Sequence, residues 1–183
     1  MNSLRTTAIA ISLAGLTFTF TGQAAPSPGF VDFGKLVGPK HGQFVEVNIG
    51  KPLISMVARI VQKSEKEAGE VLKGLERVRV NVVGLDDENR ADIQERVTAI
   101  RAKLDEEGWD PIVTVKDKKD DVAVYLKMRG EEAVEGIVVT VLDGTSEAVF
   151  INIVGNIQPE KIAMIGEKLN IPPLKKLSAA LKK

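Results

Sequence analysis

The 183-residue chain has no cysteine, one histidine and few aromatic side chains, which make up 4% of the residues. Without cysteine it has no disulfide framework, no thiolate metal site and no cysteine nucleophile. An excess of one charge is lacking too, since 25 Lys and Arg stand against 25 Asp and Glu. A nucleic-acid binder usually needs a basic surplus to neutralise phosphates, so we expect no nucleic-acid partner. The length suggests a single domain.

The first segment has the layout of a secretory signal peptide. Arg5 supplies the positive region, and residues 8–20 form an uncharged, largely apolar run. That run is shorter than the roughly 20 residues that a spanning helix needs. Gly22 and Ala24 are small residues at the positions that predict a cut after Ala24. We expect residues 1–24 to be removed and the mature chain to be periplasmic or extracellular, without a transmembrane segment; an uncleaved anchor is the alternative.

Residues 25–42 are rich in proline and glycine without a sustained period, which predicts a linker or a loosely docked arm. Their GFVDFGK segment, residues 29–35, almost matches a phosphate-binding loop. Leu36 replaces the hydroxyl residue that would bind magnesium, and no strand precedes the segment, so we interpret the match as chance. His41, the one histidine, is interpreted as a surface loop residue rather than a catalytic group or ligand.

Apolar periodicity divides residues 43–174 into strands and helices. Strands are predicted at 44–49, 77–83, 111–116, 122–128, 136–142 and 148–154. Helices are predicted at 52–62, at 65–73, from Asp86 or Asp87 to Gly108, and from Gln158 to the stop at Pro172. We expect one α+β two-layer domain, a mostly antiparallel sheet of about six strands with helices on one face. The strand at 137–142 is apolar on both sides and should be central, covered on both faces, or part of a partner contact.

The predicted strands are mostly one-sided, which is typical of a sheet with one covered face and one wet face. On the polar face, Arg77, Arg79, Lys127 and Arg129 would form a cationic patch if their strands are neighbours. Such a patch would bind an anionic surface, a glycan or a partner. The alternative interpretation is a solvated face with cross-strand charge pairs.

Two further charged features have ordinary structural interpretations. The acid clusters at 86–88, 117–121 and 131–132 lack the spacing of a calcium loop, and the first two fit a helix cap and a turn. Residues 175–183 form a basic tail in which Leu177 and Leu181 share one helical face with Leu174. The tail could lie on an anionic membrane or on a partner, and a frayed terminal helix is the alternative.

Four segments, in order along the chain, resemble an uncharacterised family of exported bacterial proteins, domain of unknown function 4252. They are VLKGLERVRV (71–80), IRAKLDEEGWDPIV (100–113), VAVYLKMRGEE (122–132) and VFINIVGNIQP (149–159). The resemblance runs from Val45 to Leu174. It implies a bacterial envelope or extracellular location, no enzyme activity and no particular functional residues.

With no credible nucleophile, metal cluster or cofactor loop, we expect an exported, non-catalytic binding or interaction domain that uses no cofactor. Its partner would be an envelope protein or an anionic surface ligand. Two alternatives remain. A carboxylate-dependent hydrolase would need a cleft with two converging acids. A self-assembling envelope structural protein would use the strand at 137–142 as its interface.

Overall fold

In the computed structural model, which describes residues 27–40, 42–117, 120–144 and 146–174, six strands form one antiparallel sheet. In chain order the strands are β1 (Phe44–Gly50), β2 (Leu75–Gly84), β3 (Asp110–Lys116), β4 (Asp120–Arg129), β5 (Ala133–Asp143) and β6 (Glu147–Ile157). Their spatial order is β1-β2-β6-β5-β4-β3. The predicted α+β fold with a sheet of about six antiparallel strands is therefore confirmed.

In the described residues four helices connect or follow these strands, and the last three of those residues, 172–174, are helical as well. Helices α1 (Lys51–Val61) and α2 (Lys66–Gly74) join β1 to its neighbour β2. Helix α3 (Arg90–Glu106) carries the chain from β2 to the far edge strand β3. Helix α4 (Ile162–Lys168) follows β6 after a 3-10 turn at Pro159–Lys161.

The longest helix, α3, shows how local sequence sets an element. Its buried residues are Ile93, Val97, Ile100 and Leu104, the stripe with helical spacing. Gly108 ends the helix with a φ of 70°. Beyond it the Trp109 N–H donates to the Leu104 carbonyl (3.0 Å) and the Gly108 N–H to that of Asp105 (3.2 Å). This left-handed cap brings the buried Trp109 back onto Leu104.

The sheet is covered on both faces, which corrects the expectation of helices on one face only. On one face, Ile54 of α1 and Ile162 and Ile165 of α4 share a core with Ile137 and Val139 of β5. On the other face, α3 and the segment before β1 share a second core with Val138 of β5. Strand β5 is thus central and covered on both sides, as its apolar pattern predicted.

Helix α4 ends at Lys168, earlier than the sequence predicts, and Asn170 rather than the Pro172-Pro173 pair turns the chain away from it. Asn170 has a φ of 52°, a left-handed conformation that asparagine tolerates. The Ile171 N–H donates to the Gly166 carbonyl (2.7 Å) and the Asn170 N–H to the Glu167 carbonyl (3.2 Å). The chain therefore turns back, and both Ile171 and Leu174 are buried in the core under α4.

Candidate functional site

The segment at residues 27–37, called the arm from here on, is fastened to the sheet by one buried asparagine. Asn152 of β6 is fully buried. Its Oδ1 accepts a hydrogen bond from the Val31 N–H (3.0 Å), and its Nδ2 donates to the carbonyls of Gly29 (2.9 Å) and Ile137 (3.2 Å). An amide side chain offers one acceptor and two donors, and here all of them meet main-chain groups. Residues 27–37, which lie within the segment predicted as a linker or a loosely docked arm (25–42), are docked on the sheet.

The arm and the sheet touch through two glycines. A Cβ on Gly136 of β5 would lie 2.6 Å from the Gly29 Cα and 2.5 Å from the ring of Trp109. No real side chain tolerates such contacts, so the close approach requires a residue without a Cβ. Further along, Val31, Phe33 and Leu36 are buried in the core shared with α3.

The four predicted cations do not form one patch. Arg77 and Arg79 lie on β2, whereas Lys127 and Arg129 lie on β4. Strands β6 and β5 stand between them, so the two pairs are about 14 Å apart at normal strand spacing. The arm crosses that gap over Asn152 and Gly136. The predicted joint patch is therefore wrong, because its condition of neighbouring strands is not met.

Arg77 and Arg79 are occupied by the arm. The Arg77 guanidinium carbon lies 5.0 Å from the centroid of the Phe30 ring, and that of Arg79 lies 5.7 Å from Phe30 and 5.8 Å from Phe33. Arg79 also pairs with Asp32 of the arm (3.7 Å) and with Glu46 of β1 (3.8 Å). These cation–π and ionic contacts stabilise the docked arm.

Lys127 and Arg129 contact main-chain and side-chain groups of the domain itself. Lys127 donates to the carbonyls of Glu107 and Gly108, where α3 ends and its dipole is negative. Arg129 donates to Asn156 Oδ1 (2.9 Å) and pairs with Glu135 (3.8 Å). Ligand binding by any of the four cations stays a prediction.

A polar cluster lies between α3 and the sheet. Arg101 donates to the hydroxyl of the fully buried Thr140 (2.9 and 3.0 Å) and to Asp121. Beside it, burial raises the pKa of the Tyr125 hydroxyl above its ordinary value, and the negative charge of Asp105 adds to that rise. The cluster fastens α3 to β4 and β5.

Helix α1 exposes an apolar stripe, which we call the α1 stripe: Leu53, Met56, Val57 and Ile60. The exposed fractions are 47% for Leu53, 49% for Met56 and 63% for Ile60. The spacing of three, four and seven residues places the four side chains on one side of the helix. The apolar side chains of α1 span roughly 200° of its circumference. Sequence reasoning missed this exposed stripe. The width of the apolar arc was a usable signal, because one neighbouring layer can cover only about half of an arc of roughly 200°.

Beside the α1 stripe lies a groove of about 280 Å³ between α1, α2 and α4. Val57 of the stripe lines it together with Val61, Leu72, Met164 and Leu169. The ion pair between Glu65 and Lys168 borders the groove. The apolar surface therefore continues from α1 towards α4.

A larger groove, of about 450 Å³, lies on the sheet face that carries α1, α2 and α4. Its floor consists of aliphatic residues of four strands: Val113, Val115, Val122, Val139, Val141, Val149 and Ile151. Residues 170–173 border it, and so do Asp120, Asp143 and Glu147. We call it the valine groove.

Among the described residues, no group of three or more His, Asp or Glu side chains is arranged to hold a metal ion. In the same part of the chain, no helix is both long and apolar enough to cross a membrane. The expected leader with its cut after Ala24, His41 and the basic tail at 175–183 lie outside the described residues.

Comparison with known proteins places the chain in a family. Neither a search of curated proteins nor a search of solved structures found a match. The family described as domain of unknown function (DUF4252) matches residues 39–165. This range includes all six strands and ends within α4. Because the match covers more than half of the sequence, the chain belongs to the DUF4252 family.

Proposed function

We propose that this protein is an exported, non-catalytic interaction domain of the bacterial envelope and that it binds its partner through the α1 stripe. The observation that carries the proposal is the row of large aliphatic side chains that α1 presents to solvent. Contiguous exposed apolar surface of this kind marks interaction sites on soluble domains.

The charges around α1 specify the chemistry of the partner. From residue 51 to residue 64 the chain has the cations Lys51, Arg59 and Lys63 and no acid. A partner helix that lies along the stripe needs apolar residues at the same three- and four-residue spacing. Acidic residues beside that spacing would complement Arg59 and Lys63, since Lys51 lies 4.0 Å from Glu76. The expected partner is therefore an amphipathic helix with acidic flanks, in an envelope protein.

The hydrolase alternative has a weaker basis. In the valine groove, the acids at the border are Asp120, Asp143 and Glu147. Asp120 and Asp143 are cross-strand neighbours on β4 and β5, so they stand side by side on one edge of the valine groove. Hydrolysis by two carboxylates needs one on each side of the scissile bond. The arrangement supports a binding role rather than a catalytic one.

Two synthetic peptides test the proposal. Both carry leucines at helical i, i+3, i+4 and i+7 positions, and one has glutamates beside them where the other has lysines. We expect the glutamate peptide to bind at least about tenfold more tightly, since opposite charges flank its contact. The measurement is fluorescence anisotropy with labelled peptide and the purified protein.

Substitutions on α1 provide the control. Met56→Asp with Ile60→Asp should abolish binding, because it places charges in the apolar contact. Ser55→Asp, on the polar side of the same helix, adds one negative charge outside the apolar contact and should leave most of the binding intact. Equal affinity for the two peptides, or binding that survives the double substitution, would contradict the proposal.

Export is tested separately. Expressed with residues 1–24 in a Gram-negative host, the protein should appear in the periplasmic fraction with its N-terminus at Ala25. Intact-mass measurement identifies the cut. An unprocessed chain that stays in the membrane fraction would support the anchor alternative instead.

A further inference from the structure

The floor of the valine groove belongs to a row of valines that crosses the whole sheet. The strand registers align one valine from each of the six strands: Val45, Val82, Val149, Val141, Val122 and Val115. The parallel row beneath α4 is aliphatic as well and is buried at its centre, at Val139 and Val124. All six valines of the outer row remain partly or largely exposed, and Val115 reaches 45%.

The border of this row that faces away from α4 is acidic. Asp120, Asp143 and Glu147 each lie two residues beyond a valine of the row on β4, β5 and β6, and therefore on the same face of the sheet. Asp120 and Asp143 are directly opposite each other. Like charges in that relation repel, so a cation above them would stabilise the sheet.

The opposite border of the groove leads directly into the basic tail. Asn170, Ile171, Pro172 and Pro173 line the groove, and the next residue, Leu174, is fully buried. The nine residues that follow, KKLSAALKK, include four lysines and no acid. A helix of ten residues is about 15 Å long, and the four strands under the groove span about 14 Å.

The side chains of such a helix match both the floor and the acidic border. At about 100° per residue, Leu177 and Leu181 fall on the same side as Leu174, and Ala179 falls on the opposite side. Lys175 and Lys182 share one flank of the leucine side. When the leucine side of the helix packs on the valine row, the flank with Lys175 and Lys182 can face Asp120 and Glu147.

We infer that residues 175–183 bind across the valine groove as an amphipathic helix and cover the valine row of their own chain. Apolar contact would supply most of the affinity, and the lysines would fix the orientation against the acids. The inference does not depend on the proposed partner of α1, which lies on a different surface.

Disulfide trapping in the full-length chain tests this inference cleanly, because the protein has no cysteine of its own. Leu181→Cys is combined with Val115→Cys or with Val149→Cys, the positions on β3 and β6 at the two ends of the groove. Under mild oxidation we expect a disulfide within the monomer in at least one combination, at a rate about tenfold or more above the controls. Non-reducing electrophoresis and peptide mapping measure it.

Two controls match the test. Ala179→Cys replaces Leu181→Cys and moves the thiol to the opposite side of the tail. Lys116→Cys replaces Val115→Cys and moves the other thiol to the opposite face of β3. Equal rates in tests and controls, or no disulfide at all, would overturn the inference. Disulfide-linked dimers would overturn it too, because a second copy would then occupy the groove.

A readout without cysteine guards against variants that fold poorly. Leu177→Glu with Leu181→Glu should uncover the groove and raise the fluorescence of an apolar dye several-fold, with circular dichroism unchanged. Ala179→Glu should leave the dye fluorescence at the wild-type level. Dye binding that is the same in all three proteins would contradict a covered groove.

Discussion

At the scale of single residues, Asn152 decides whether the arm is bound. It is a polar residue in the middle of an apolar core, and it is tolerated there because its amide hydrogen-bonds to three main-chain groups. Two of these groups, the Val31 N–H and the Gly29 carbonyl, belong to the arm. The side chain therefore links two parts of the sequence that are more than a hundred residues apart.

Replacing Asn152 should release the arm. Asn152→Ala removes both hydrogen bonds to the arm and should lower the free energy of unfolding by about 2 kcal/mol, measured by urea denaturation. Asn152→Asp keeps the acceptor for Val31 but buries a charge and loses the donor to Gly29, so it should destabilise the protein at least as much. Asn156→Ala, on the same strand as Asn152, removes only an exposed hydrogen bond from Arg129 and is the control. Equal stability of all variants would show that the hydrogen bonds from Asn152 to the arm contribute nothing.

The single tyrosine gives a second test at this scale. Burial and Asp105 raise the pKa of Tyr125, so its proton should leave only above pH 10. The unfolded chain loses that proton first, and stability should therefore fall as the pH rises from about 10 through the pKa of the folded state. Tyrosinate absorbance measures the titration directly.

Asp105→Asn should lower the pKa of Tyr125, because a negative charge that opposes ionisation is removed. Glu106→Gln, the neighbouring acid, does not contribute to the shift and should leave the titration unchanged. Identical curves for Asp105→Asn and the wild type would contradict the assigned cause.

At the scale of elements, the arm and α3 together form the layer that covers the second face of the sheet. Phe33 of the arm lies 5.6 Å from Phe150 of β6, ring centroid to ring centroid. Arg96 of α3 donates to the Phe33 carbonyl (3.1 Å), so arm and helix also contact each other. Loss of the arm should therefore loosen α3 as well.

Gly136→Ala tests the element as a whole. The added Cβ would collide with Gly29 and Trp109, and the neighbouring main chain cannot yield cheaply. We expect a loss of about 1–3 kcal/mol in stability and faster proteolysis within residues 27–42. The fluorescence of Trp109, the only tryptophan, should change with it. Gly50→Ala is the control, because its added Cβ would lie 3.8 Å from the nearest atom, Cδ of Pro52. Gly130→Ala is less suitable, because the φ of Gly130 is positive.

The elements themselves were largely predictable, and their partners were not. The stripe of α3 and its end at Gly108 follow from helical spacing and from glycine's freedom at positive φ, which are local properties. The burial of Asn152 was not predictable, because nothing near it in sequence shows that Gly29 and Val31 cover it. The valine row was not predictable for the same reason, since the alignment of the six valines depends on the registers of all the strand pairs. The early stop of α4 was missed because asparagine is a weaker stop signal than a proline pair.

At the scale of the whole molecule, the sheet has a protected centre and two open edges. Strands β6 and β5 each pair on both sides, whereas β1 and β3 pair on one. Edge strand β3 contains Pro111 and Lys116, residues that discourage pairing with other chains. Stability should therefore be unevenly distributed across the sheet.

Hydrogen exchange should show this distribution. Amides of β5 and β6 should exchange only through global unfolding, and those of β1 and β3 through local opening, at rates higher by an order of magnitude or more. Mass spectrometry of peptides from each strand measures the rates. Uniform protection across all six strands would mean that the sheet opens as one unit.

The docked arm also has a consequence for the order of events during synthesis. The arm leaves the ribosome before the rest of the domain, yet Gly136 and Asn152, which receive it, are made more than a hundred residues later. A nascent chain thus carries Phe30, Val31 and Phe33 uncovered until the last hairpin has formed. Throughout that interval these side chains are available to chaperones, so the arm is a site where chaperones would bind before the domain has folded.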